Sequence, residues 1–284
     1  MKTLKNKLYK SLLLSALILS GCQNEVPASE NDEETPVDNS TEQVNDVSAE
    51  DTDEPDEDAA SEDEIDEEEE VAYQYKINPD IFSVESIEER DENEKLVLLT
   101  FDDAPYGNTM EIAEALAERD VSAIFFVNGM YMEDDEGFET MQKVHEMGFE
   151  IANHTHTHAK LDDYTNEEQF EELKKTSDII EEAIGSRPRF FRAPHGIMTD
   201  YAEQVVAESG MSWMNWSFGY DWMVEYQDGA ALTEITLNAP ELGPGSNILM
   251  HDREWTADAV PGIVHGLIKQ GYTIVDPALI THEE

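Results

Sequence analysis

Cysteine is almost missing from this chain of 284 residues: Cys22 is the single example. That excludes a disulfide framework within one molecule and leaves no thiol pair for redox chemistry. Basic residues are scarce as well, with 17 Lys and Arg against 66 Asp and Glu, for a formal charge of −49 at pH 7. A surface so short of cations has little with which to neutralise phosphates, so nucleic acid is not expected as a partner. Long apolar runs are lacking too. The stretch Leu12 to Leu19 (LLLSALIL) is too short to span a bilayer as a mature helix.

What is present is organised in three parts. Residues 1–22 read as an address: Lys2, Lys5, Lys7 and Lys10 precede that apolar stretch, the pattern of a signal peptide. It ends in Leu19-Ser20-Gly21-Cys22, which resembles the bacterial lipoprotein cleavage box, where the cysteine becomes the lipidated N-terminus. A diacyl anchor on Cys22 supplies two chains, enough for stable membrane attachment. The expected location is the extracellular face of the bacterial cell membrane. Residues 23–70 hold 23 Asp or Glu and no Lys or Arg. Such a stretch cannot bury enough apolar surface to offset its ordering entropy, so it is expected to be a disordered, extended acidic linker. With leader and linker set aside, −30 of the charge remains on residues 71–284. Carboxylates in that number suit a salt-tolerant extracellular domain with a solvated acidic surface.

Residues 71–284 suffice for one sizeable core. After an irregular lead-in to residue 95, short apolar runs alternate with amphipathic, helix-length segments. Strands are expected at Leu96–Thr100, Ser122–Val127, Phe149–Ala152, Arg189–Arg192, Met211–Phe218, Asn247–Met250 and Tyr272–Val275. Helices are expected at Met110–Arg119, Phe138–Met147, Glu167–Ile184, Asp200–Glu208 and Ala257–Lys269. Alternation of this kind implies βαβ units and a largely parallel sheet, and some seven repeats in one domain favour a distorted (β/α) barrel.

Chemistry-bearing residues fall at the C-terminal ends of these strands, where such folds build their sites. The first strand ends in Asp102-Asp103, and neighbouring carboxylates can divide labour between a cation and a proton. The third leads into His154-Thr155-His156-Thr157-His158. A helical turn there would set His154 and His158 on one face, with His156 pointing elsewhere. Two imidazoles and one carboxylate leave open positions on a metal, the arrangement of a catalytic rather than a structural site.

Thr100-Phe101-Asp102-Asp103-Ala104-Pro105, the His154–His158 run, Arg192-Ala193-Pro194-His195-Gly196, Asp221-Trp222 and Leu249-Met250-His251-Asp252 follow one another in an order that resembles the polysaccharide deacetylases. These carbohydrate esterases include chitin, peptidoglycan and chitooligosaccharide deacetylases and acetylxylan esterases. The resemblance runs from about Leu96 to Val275. It implies a distorted barrel and a divalent metal, usually Zn2+, with Co2+, Ni2+ or Mn2+ as alternatives. By position it assigns Asp103, His154 and His158 to the metal and Asp102 to the general base, with Arg192 pairing with Asp102 to hold it. The main-chain N–H of His195, after Pro194, would face the developing oxyanion. His251 would be the general acid, supported by Asp221, and Trp222, Trp216 and Leu249 would wall the sugar ring and acetyl methyl.

Three departures stand out. Ala104 occupies a place where the family usually has glycine, His195 one where it usually has tyrosine, and Gly219 lies near a place where many members carry another acid. The expected activity is removal of acetyl from N-acetylated sugars of a cell-envelope or extracellular polymer, peptidoglycan N-acetylglucosamine first and a chitin-like chain next, by a monomer. An O-acetyl esterase on acetylated glycans is the alternative enzyme, and a sugar-binding lipoprotein without turnover the alternative of another class.

Overall fold

The computed structural model describes residues 72–88 and 94–282. The signal peptide, Cys22 and the acidic linker lie outside the described residues, all of which belong to a unit running from Asp66 to Glu284. In chain order the elements are β1 (Tyr75–Ile77), β2 (Val84–Ser86), β3 (Lys95–Ala104), α1 (Thr109–Ala117), β4 (Ile124–Val127) and α2 (Asp135–Glu146). Then come β5 (Glu150–Asn153), α3 (Asn166–Ile184), β6 (Phe190–Phe191), α4 (Asp200–Glu208), β7 (Ser212–Trp213), α5 (Gly229–Asn238), β8 (Ser246–His251), α6 (Glu254–Lys269) and β9 (Tyr272–Ile274).

Seven parallel strands form one curled sheet in the order β7-β6-β5-β4-β3-β8, with β9 paired to the first residues of β3. The fold is thus α/β, a curled half-barrel with helices outside. Its two ends approach through a single kinked segment. After β7 pairs with β6, the chain crosses over, Ser217 donates to Asn247 O at 2.8 Å, and Leu249 donates to Phe218 O at 2.9 Å. The expected strand Met211–Phe218 is therefore split: two residues pair with one neighbour and two lie against another. A single straight strand cannot serve both ends of a barrel that does not close.

Alternation along each strand sorts the side chains between two layers. Val97, Leu99 and Phe101 of β3 face outward, packing with Ile112 and Leu116 of α1 and Ile263, Val264 and Leu267 of α6. Leu96 and Leu98 face inward with Ile124, Phe126, Phe190 and Met214, and Tyr75, Val84 and Ile280 fill the same cluster from below. Each fully buried side chain of this size contributes about 1.5–3 kcal/mol. The lead-in is thus not irregular: β1 and β2 form an antiparallel hairpin, and Val84 donates to Gly245 O just before β8. Helix α5 is the other element absent from the sequence expectation. Only Leu232 and Thr236 along it are buried, too few to mark an apolar stripe.

Candidate active site

Above the apolar plug the inward positions turn polar. Continuing the alternation of Leu96 and Leu98 gives Thr100 and Asp102 on β3, and His154 and Arg192 lie just beyond β5 and β6. By the same alternation Asp103 should face the helices. It does not, because the β3–β4 register shifts between Phe101 and Ala104 and Asp103 takes a left-handed backbone with φ 65. This bulge re-aims one side chain, and two successive carboxylates come to one site.

The histidine run is not helical. Thr155 and His158 both have positive φ, 65 and 58, and the segment is an open loop. The loop is held from two sides. Asn128, after β4, donates its side-chain amide to His154 O at 2.6 Å, and Met130 donates to His156 O at 2.9 Å. Asn153 donates to Leu173 O and Ser177 Oγ of α3 while its own Oδ1 accepts from Thr155 N at 2.8 Å. Gly129 makes the close approach feasible, since a Cβ there would stand 2.6 Å from His156 Nδ1. The expectation of a helical turn is thus corrected: a loop with two left-handed residues brings the rings together, 5.1 Å apart.

Asp103, His154 and His158 each offer a donor atom, all within 4.8 Å of one another. His158 Nε2 is 3.5 Å and His154 Nε2 4.0 Å from Asp103 Oδ1. His154 Nδ1 lies 2.7 Å from Arg192 O, which fixes the tautomer and leaves the Nε2 lone pair towards the carboxylates. Burial lowers the pKa of His154, and burial with the neighbouring His154 lowers that of His158 to about 4. Both imidazoles are therefore neutral near pH 7, the form that ligates a metal. Burial alone would raise the Asp103 pKa, but nearby cations lower it overall: His154, His251 and His158 when they are protonated, and Arg253. One carboxylate and two neutral imidazoles, with the tautomer set by a backbone carbonyl, fit a divalent ion such as Zn2+.

Two pairs flank that set. Arg192 is fully buried and gives Nη1 to Asp102 Oδ1 at 2.7 Å and to Thr100 Oγ1 at 2.8 Å. Its other prongs reach Asn215 O and Met214 O, and its plane lies 4.2 Å from the Phe126 ring centroid. A buried cation so fully engaged has one geometry, and Asp102 shares it. On the other flank His251 Nδ1 meets Asp221 Oδ1 at 2.8 Å, and the His251 main-chain N–H donates to the other oxygen at 2.5 Å. Burial works against protonation of His251, but the hydrogen bond and charge of Asp221, helped by Asp102 and Asp103, raise its pKa overall.

The remaining sequence candidates also gather here. Pro194 is buried, and His195 takes φ 60 in a turn closed by bonds from Gly196 and Ile197, neither of which uses the His195 N–H. The His195 ring stands edge-on to His158 at 4.7 Å. Leu249 is buried on β8, whereas Trp222 is 44% exposed, edge-on to His251 at 5.7 Å and beside Trp216. Gly219 has a steric reason: a Cβ would lie 2.5 Å from Leu249 O and 2.7 Å from the Trp222 ring. No acid fits there while Trp222 keeps its place.

Two residues escaped the sequence expectation. Asp252 had no role beyond its motif, yet it accepts from the main-chain N–H groups of Tyr106, Gly107 and Asn108 and from Thr109 Oγ1, tying the loop after Asp103 to β8. Arg253 donates from Nη2 to Asp103 Oδ2 at 2.7 Å. Its only signal in the sequence was a cation next to a motif in a chain poor in cations.

Comparison with known proteins gives this arrangement a context. A sequence profile described as polysaccharide deacetylase matches residues 89–214. The peptidoglycan-N-acetylglucosamine deacetylase of Bacillus cereus is 32% identical over 63% of this chain and 67% of its own. The peptidoglycan-N-acetylmuramic acid deacetylase PdaC of Bacillus subtilis is 30% identical over 71% of this chain, which spans only 42% of that longer protein. The PdaC structure superposes with a TM-score of 0.57 at 31% identity, over 66% of this chain and 89% of the other. A pseudoenzyme of carbohydrate esterase family 4 from Bacillus anthracis is also similar, with a TM-score of 0.59 at 27% identity, over 65% of this chain and 64% of the other. With its curled sheet, its strand-end acids and these matches taken together, the chain belongs to the polysaccharide deacetylase family.

Proposed function

We propose that this protein is a metal-dependent hydrolase that removes acetyl groups from N-acetylated sugars of a cell-envelope polysaccharide, with peptidoglycan N-acetylglucosamine as the first candidate. One observation carries the reading: a three-donor set lies between a carboxylate locked by a buried arginine and an imidazole locked by a buried carboxylate. A degenerate, binding-only member has no need of both flanking pairs.

A divalent ion at Asp103, His154 and His158, Zn2+ by the donor set, supplies Lewis acidity to the acetyl carbonyl when bound. Asp102, fixed by Arg192 and not needed as a ligand, accepts the proton of the attacking water. The His195 N–H, left out of its own turn's bonding, is the candidate donor to the oxyanion. As the acetyl C–N bond breaks, His251 gives its proton to the departing sugar nitrogen, and acetate and the free amine leave. Asp221 holds the His251 ring and stabilises its imidazolium form. Trp222 and Trp216 offer an aromatic face to a sugar ring at the rim, with Leu249 beneath for the acetyl methyl. The two peptidoglycan-acting relatives support the choice of polymer, and lipidation at Cys22 with the acidic linker would hold the domain outside the membrane, within reach of the wall.

Acetate release from N-acetylglucosamine oligomers and from peptidoglycan, with and without a chelator, tests the reading. Metal-dependent release is expected. Asp102→Asn should lower kcat by about 100-fold or more while Co2+ or Zn2+ binding persists. Activity confined to acetyl esters would replace the amide reading with an O-acetyl esterase. An unaltered rate in Asp102→Asn would remove Asp102 as the base.

A further inference from the structure

The two oxygens of Asp103 have different company. Oδ1 faces the imidazoles, 3.5 Å from His158 Nε2, while Oδ2 accepts from Arg253 Nη2 at 2.7 Å. Arg253 is itself held on two further sides. Its Nη1 donates to Asp252 O at 2.8 Å, and its guanidinium lies over the Tyr106 ring, 4.6 Å from the centroid. The main chain of Tyr106 is in turn tied to the buried Asp252 carboxylate at 2.6 Å. The guanidinium therefore has a fixed place.

We infer that Arg253 is a positioning residue that limits Asp103 to a single oxygen towards a metal and draws charge from that carboxylate. The inference rests on the reading of Asp103, His154 and His158 as a metal-binding set. Three consequences follow from charge and geometry. A carboxylate free of Arg253 can turn both oxygens to the ion, filling a coordination position the substrate needs. It is also a stronger donor, so the ion becomes a weaker Lewis acid. Finally, a fixed cation beside a dication repels it, so its removal strengthens binding.

The experiment compares the wild type with Arg253→Met, of similar length and no charge, and Arg253→Lys, which keeps a charged donor. Co2+ serves as the probe, because its visible absorption weakens as ligands are added. For Arg253→Met the expected result is a weaker Co2+ band, Co2+ binding about tenfold tighter, and kcat lowered by about tenfold or more with KM little changed. Arg253→Lys should restore band and kcat most of the way. Should Arg253→Met not fold, judged by circular dichroism, Arg253→Gln carries the same expectation. A band and affinity like those of the wild type in the neutral variant would overturn the inference, as would a Lys variant no better than Met. Weaker Co2+ binding with an unchanged band would also overturn it, leaving Arg253 only a support for its loop. Wild-type protein that binds no Co2+ would instead overturn the metal reading itself, and this inference with it.

Discussion

At the scale of single residues, the pair His251–Asp221 makes the sharpest prediction. The raised His251 pKa keeps its imidazolium populated to a higher pH than a free histidine would. A general acid works in its protonated form, so the rate should be sustained below that pKa and fall as pH rises through it. Asp221→Asn removes the group that raises it. The alkaline fall in kcat should then move to lower pH, with kcat at neutral pH reduced by about tenfold or more, as a pH–rate profile will show. Residue chemistry was legible in the sequence to an uneven degree. Asp102, His154 and Arg192 sit where strand alternation and the strand ends would put them. Asp103 does not, because its side chain reaches the site through a register shift that no spacing announces. The His154–His158 spacing led to the correct neighbours by way of a helix that does not exist.

At the scale of elements, β5 and α3 are joined through one amide. Asn153 faces away from the barrel interior, and its three bonds anchor the histidine loop to α3. Asn153→Ala leaves Thr155 N and Ser177 Oγ without this partner in a buried setting, at a cost of about 1–3 kcal/mol. A lower thermal midpoint together with weaker Co2+ binding is expected, since the same side chain supports fold and ligands. Long periodic elements such as α3 and α6 were readable from their apolar spacing. The β1–β2 hairpin was not, because three-residue strands carry too little alternation to distinguish from loop. Nor was α5, whose packing against α6 is made by few buried side chains. The split of Met211–Phe218 between two partners depends on where the barrel fails to close, which is a property of the whole sheet.

At the scale of the molecule, charge dominates. A formal −30 on residues 71–284 sets carboxylate against carboxylate, and such self-repulsion weakens a compact state. Added salt screens it over about 10 Å at 0.1 M. The thermal midpoint is expected to rise between low salt and molar NaCl, measured by calorimetry, and a midpoint that falls would remove the case for salt tolerance. The interior of the half-barrel has a different consequence. Tyr75, Val84, Leu96, Leu98 and Ile280 pack into one apolar cluster beneath the strand-end acids and imidazoles. On the proposed function, a polymer would meet the site from the strand ends, on the side away from this apolar plug. Acetate released there would then leave on the side from which substrate arrives, and added acetate is expected to slow turnover by competing with it.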